Sequence, residues 1–175
     1  MPTSSLQPTS HVVNLVNSLK PTSILDVGCG FGKYGLLFRE ALEVSKGRYF
    51  KGDWVVRIDA LEVFKSYITP VHKFVYDNLF IGDVVNFEFV DYDLIFFGDV
   101  LEHLDKEVAL QVVDRASRGH NVLIVTPNGF YEQGAWFGNE HEVHKCGFSS
   151  SDFERFNGSV LKFGIMMVVF IKCRA

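Results

Sequence analysis

The stretch Ile24 to Gly32, ILDVGCGFG, constrains this chain more than any other, because an apolar run ends there in an acid and three alternating glycines. Such a run is a strand that turns sharply into a helix. Ile24, Leu25 and Val27 suit a buried strand, and Gly28, Gly30 and Gly32 give the turn freedom where a Cβ would collide with a ligand. The helix expected from Lys33 to about Val44 aims its first amide groups at whatever occupies the turn. A small ligand carrying a carboxylate, hydroxyls or phosphates fits that position.

Around this turn the apolar pattern alternates between helix and strand spacing. The leading segment, residues 1–20, is expected to be loose over MPTSSLQPTS and then helical. Thr9 and Ser10 are its caps, Val12, Val13, Val16 and Leu19 share one face, and Pro21 ends it. A second strand is expected over Trp54 to Glu62, a helix or turn over Phe64 to Phe74 despite Pro70, and a third strand over Asn78 to Gly82. The most apolar strand runs from Tyr92 to Gly98. Asp105 caps a scaffold helix with Ala109, Val112, Val113 and Ala116 on one face, and His120 to Thr126 forms a fifth strand broken by Pro127-Asn128-Gly129. Residues 127–148 are irregular, and long loops at the ligand end of a scaffold carry specificity. Ser149 to Ser151 then cap a short helix, and Ser159 to Cys173 supply one or two closing strands. This alternation with short linkers argues for an α/β fold, a three-layer Rossmann-like sandwich whose mostly parallel sheet is covered by helices on both sides. At 175 residues the chain is expected to be a single domain spanning 1–175.

The glycine spacing separates ligand classes. Dinucleotide sites favour GxGxxG, and phosphate loops of the Walker type end in Gly-Lys-Ser/Thr. Here the pattern is Asp26-x-Gly28-x-Gly30-x-Gly32, and Lys33 is followed by Tyr34. It resembles the first motif of class I S-adenosylmethionine-dependent methyltransferases, an acid two positions before GxGxG. Asp99 to Leu104, DVLEHL, resembles the fourth motif of the same family, and the resemblance covers most of the chain. It implies S-adenosylmethionine as cofactor, held by Asp26, Gly28, Cys29, Gly30, Gly32, Glu62, Asp83, Val84 and Asp99. It also implies a reversed, antiparallel strand at the C-terminal end and a leading helix that closes over the cofactor, although that helix reads equally well as a packing helix.

Within this set, an acid ending the second strand accepts hydrogen bonds from both ribose hydroxyls, a task suited to a carboxylate because it only accepts. Glu62 stands where the apolar strand yields, and Asp59 is the reserve. The resemblance places Asp83, or the Val84 backbone, against an adenine amino group, while Gly82-Asp83 also reads as a plain turn.

Composition narrows the partners. Hydrophobic residues make up 47% of the chain and include 17 Phe, which excludes disorder, and a net charge of −4 without a basic cluster argues against nucleic acid. No apolar run reaches the length of a membrane span. The odd, widely spaced Cys29, Cys146 and Cys173 form neither a disulfide framework nor a zinc ribbon, so a reducing, cytoplasmic setting is expected.

Methyl transfer from a sulfonium is an in-line displacement in which much of the catalysis is alignment, and a base is needed only when the acceptor loses a proton. A small-molecule O or N acceptor is expected. The acid-base candidates are His103, His144 and Asp99, with His141 also in a ligand-side segment. Asn139 to His144 followed by Phe148 resembles a pattern found after the fifth strand in a subset of the family, which usually has Trp where Phe148 stands. His144 is open to a structural role as well as a catalytic one. His141, His144 and Cys146 contain metal-donor types but lack the HExxH order and a second cysteine pair, so no metal is expected from them. Cys29 reads as a small apolar residue rather than a nucleophile. Two other function classes stay open: a nicotinamide-dependent oxidoreductase on a similar sheet, disfavoured by the glycine spacing, and a cofactor-binding regulatory module without turnover.

Overall fold

A computed structural model of the chain describes residues 3–173. A seven-stranded sheet carries the fold: β1 (Ser23–Val27), β2 (Arg57–Glu62), β3 (Leu79–Ile81), β4 (Leu94–Gly98), β5 (Asn121–Pro127), β6 (Ser159–Phe163) and β7 (Met166–Ile171). Their order across the sheet is β3-β2-β1-β4-β5-β7-β6. The first five strands pair in parallel, and β7 runs antiparallel to both β5 and β6. The reversed closing strand is therefore present.

Both faces of the sheet are covered, which is why its central strands are apolar without alternation. On one face Ile24, Phe96, Leu123 and Val125 pack with Val12 and Val16 of α1 (Thr9–Leu19), Phe38 and Leu42 of α2 (Lys33–Leu42), and Val75 of α3 (Pro70–Val75). On the other, Leu25, Ile95, Phe97, Val122 and Ile124 pack with Ala109, Val112, Val113 and Ala116 of α4 (Lys106–Ala116) and with Phe148, Phe153 and Phe156. Three layers result, as the alternating pattern implies. No helix among the described residues is long and apolar enough to cross a membrane.

Several local expectations shift for identifiable reasons. Strand β2 begins at Arg57 rather than Trp54, because the Glu43 carboxylate takes the amides of Val55 and Val56 and the Arg39 guanidinium takes the Val56 carbonyl. Those groups are lost to the sheet. Pro70 starts α3 instead of interrupting a longer helix, in keeping with its fixed φ and missing amide, while Thr69 and His72 form a reciprocal cap. At α1 the capping position is Pro8, and the Thr9 hydroxyl donates to the Ser5 carbonyl.

The largest departure is at the start of the chain. The polar lead is not loose beyond Met1 and Pro2, which lie outside the described residues. Ser5 donates its amide to Asp99 Oδ2 at 3.1 Å, the Ser4 hydroxyl donates to the Gly98 carbonyl at 3.2 Å, and Lys33 Nζ donates to the Ser4 carbonyl at 2.6 Å. Main-chain and hydroxyl groups tie this segment down, so its lack of apolar residues gave no warning.

Candidate functional site

An open cleft of about 1080 Å³ lies at the carboxyl ends of β1, β2 and β4, the place where ligands bind in open α/β sheets. Asp26, Gly28, Cys29, Gly30, Glu62, Asp83, Val84, Asp99 and His103 all line it. Gly32 does not, and acts as the capping residue of α2.

The floor is the glycine turn. Gly28, Gly30 and Gly32 have φ of 65°, 54° and 82°, a region that side chains with a Cβ rarely enter. At Gly28 the added Cβ would meet Val100 Cγ2 at 2.4 Å, so what excludes a side chain there is the strand-β4 exit rather than a ligand. Two clamps fix Gly30: its amide donates to Glu62 Oε2 at 2.9 Å, and its carbonyl accepts from His72 Nε2 at 2.8 Å. The His72 tautomer follows, since its Nδ1 accepts from the Thr69 amide at 3.1 Å. No local motif marks His72; only its position beside the turn in the folded chain does.

Glu62 and Asp59 part company in the structure. Glu62 is buried at 4% exposure, lines the cleft, and accepts from Gly30 and, through Oε1, from the Phe64 amide at 2.9 Å. Burial raises its pKa against those bonds. Asp59 is absent from the cleft and is engaged by Asn78 and by the Tyr92 hydroxyl at 2.8 Å. Asp83 is exposed, lines the cleft and caps the turn after β3 through the Val85 amide at 2.9 Å.

Asp26 is buried under the turn and accepts from the Tyr76 hydroxyl at 2.6 Å. Burial nevertheless pushes its pKa up to about 7, with Glu62 adding repulsion. The same burial, with Asp26 and Glu62 nearby, drives the Cys29 thiol far above its ordinary range. It is no thiolate, and hence no nucleophile at neutral pH.

The opposite wall follows β4. Asp99 has a left-handed backbone (φ 55°) and, besides the Ser5 bond, a buried Oδ1 without a partner. His103 Nδ1 faces the Val143 carbonyl at 3.3 Å, and burial together with His144 lowers its pKa to about 4. His144 does not line the cleft. Its ring packs at 4.9 Å from that of His103, and its Nδ1 contacts the Tyr131 carbonyl at 2.6 Å. His141 does line it, with Asn139, Glu142 and Lys145 of the same loop. Thr3, Ser4, Lys33 and Tyr67 also line it, all of them missed by motif reading; Tyr67 donates to Glu142 Oε1 at 3.0 Å.

His141, His144 and Cys146 do not come together. The metal-capable grouping among the described residues is instead Glu102, His103 and His144.

With the geometry in hand, comparison with solved structures is informative about the fold. The chain aligns with an O-methyltransferase family protein from Burkholderia thailandensis at a TM-score of 0.64 and 12% identity, covering 95% of this chain and 56% of that one. It aligns with PigF, solved with S-adenosylhomocysteine, at 0.67 and 14%, covering 97% and 62%. It therefore spans little more than half the length of these two proteins. The methyltransferase domain of a bacterial Hen1 matches nearly end to end, at 0.61 and 20% identity, with 95% and 97% covered. No protein-family model and no curated protein sequence matches the chain. The fold is that of class I methyltransferases, as the glycine motif and the strand order together require.

Proposed function

We propose that this chain is an S-adenosylmethionine-dependent methyltransferase that alkylates an oxygen or nitrogen of a small molecule. The observation that carries this reading is the doubly clamped glycine turn. It opens onto a cleft flanked by three carboxylates near successive strand ends: Asp26 in β1 next to its last residue, Glu62 as the last residue of β2 and Asp83 after β3. S-adenosylmethionine fits this donor set. Glu62 would accept from the ribose hydroxyls, Asp83 and the Val84 backbone would face the adenine, and Asp26, Gly28, Cys29 and Gly30 would line the amino-acid end. When bound, the sulfonium supplies an activated methyl group.

The remaining lining residues serve the acceptor. His103, Asp99 and His141, which line the cleft, would hydrogen-bond it, and Thr3 and Ser4 with Asn139, Glu142 and Lys145 would shield the reaction from water. Because burial keeps His103 neutral with a low pKa, it accepts a hydrogen bond well and removes a proton weakly at pH 7. Catalysis therefore rests mainly on alignment. The chain acts as one domain, with residues 127–148 shaping the acceptor side.

Isothermal titration with S-adenosylhomocysteine, S-adenosylmethionine and NADH tests this. Glu62→Ala is expected to weaken the sulfur ligands by about a hundredfold, since it removes both the ribose acceptor and the Gly30 clamp. Asp59→Asn should leave affinity unchanged while lowering stability. Binding of NADH in preference to the sulfur ligands would overturn the reading.

A further inference from the structure

Behind the acceptor wall lie three side chains whose hydrogen bonding does not close. Glu102 is 1% exposed; its Oε2 accepts from the Thr126 hydroxyl at 3.1 Å, and its Oε1 is buried with no partner. His103 and His144 each set Nδ1 against a main-chain carbonyl, of Val143 and Tyr131 respectively. A carbonyl only accepts, so each Nδ1 carries the proton and each Nε2 is left with a bare lone pair. One ligand atom from each residue lies within 4.8 Å of the other two. Three acceptors have thus been gathered in a largely buried spot with no donor between them.

From this geometry we propose that Glu102, His103 and His144 form a binding site for a divalent first-row transition metal. Two imidazoles and one carboxylate suit zinc, manganese, iron(II) or cobalt(II), whereas an all-oxygen set would suit magnesium or calcium. With bonds of about 2.1 Å, one ion spans atoms up to about 4.2 Å apart, so a small inward rotation of the side chains completes the contacts. The outer contacts are already those of a metal site: both rings are oriented by carbonyls through the nitrogen that does not ligate, and the carboxylate is held by a hydroxyl. Charge favours the ion as well. Asp99 lies near enough to Glu102 to raise it further, and the cation beside Asp99, Lys33, has its ammonium on the Ser4 and Ser5 carbonyls. Three protein ligands leave coordination positions for water or an oxygen of a second ligand, and His103 links the site to the cleft.

The site does not depend on the methyltransferase reading, and its test is independent of turnover. Untagged protein is stripped with chelator, dialysed against zinc, cobalt(II) or magnesium at pH 7.5, and its bound metal counted. Cobalt is also followed through its visible absorption. One equivalent of zinc or cobalt per chain is expected, with a cobalt spectrum showing nitrogen ligation, and magnesium should not compete. His144→Ala, a half-buried position outside the cleft lining, is expected to lose at least about tenfold in metal affinity while keeping its circular dichroism and S-adenosylhomocysteine affinity. Glu102→Gln should do the same if it folds, and His141→Ala and Cys146→Ser should bind as the parent does. Failure of the parent to hold metal at millimolar concentration, or equal binding by His144→Ala, would overturn the proposal and leave a proton on Glu102 as the group that joins the three.

Discussion

Glu62 and Glu102 are both buried carboxylates at the carboxyl ends of parallel strands, yet their surroundings differ. Glu62, the last residue of β2, receives two main-chain amides and in turn fixes the glycine turn. Glu102, after β4, receives one hydroxyl and keeps an oxygen unpartnered, as does Asp99 close by. One wall of the cleft is a finished scaffold whose polar groups are spent on shape. The other holds polar groups in reserve, and buried groups left in reserve cost stability unless something else completes them. The contrast locates the framework on the β1–β2 side and the adaptable chemistry on the β4–β5 side.

Asp26 tests whether the finished wall is as settled as its bonds suggest. Its folded pKa is near 7 against an ordinary 3.8, so its share of stability is complete below about pH 3.8 and is lost as pH rises toward 7. Asn does not titrate. The stability of Asp26→Asn relative to the parent, from urea unfolding, is expected to rise between pH 4 and 8 by on the order of 4 kcal/mol. A flat difference would mean that the Tyr76 bond alone balances the buried charge, and the two walls would then differ more sharply than proposed.

Gly28 joins the walls, because a side chain there would strike Val100. Gly28→Ala combines a left-handed backbone cost of about 1–2 kcal/mol with overpacking of similar size, for a total of about 3 kcal/mol. Val100→Ala in the same chain should recover the packing share and leave the backbone share. Full recovery would show that the turn's conformation is unstrained by a Cβ.

The same contrast explains what could be read in advance. The glycine turn and the central strands were legible: the turn is a local pattern, and the apolar runs of the strands state their burial directly. The reversal of β7 was implied by the family resemblance alone, because an apolar run does not state its direction. The identity of Glu62 over Asp59 was legible as a preference only, because choosing required knowing that Asn78 and Tyr92 occupy Asp59. His72 and Tyr76 were not legible. They reach Gly30 and Asp26 from α3 and the residue just past it, and no spacing rule links those positions. On the β4–β5 side, Glu102 and His103 stand in one motif but His144 arrives from a loop some forty residues on, so the trio emerges only when β4 and the loop after β5 are folded together.

The leading segment supplies the mildest and most specific probe of the unfinished wall. Ser5 gives Asp99 the one amide it receives, and Ser5→Pro deletes that donor. Leaving the carboxylate with neither oxygen bonded to the main chain should cost about 1 kcal/mol. Proline also restricts the unfolded chain, an opposing effect that a single variant cannot separate. A double-mutant cycle with Asp99→Ala removes it, because the restriction is common to both backgrounds. The expected coupling is about 1 kcal/mol, with Ser5→Pro nearly neutral or slightly stabilising once Asp99 is gone. No coupling would mean that the segment rests on the cleft through Lys33 and Ser4 alone, and that Asp99 is as open to a ligand as Glu102.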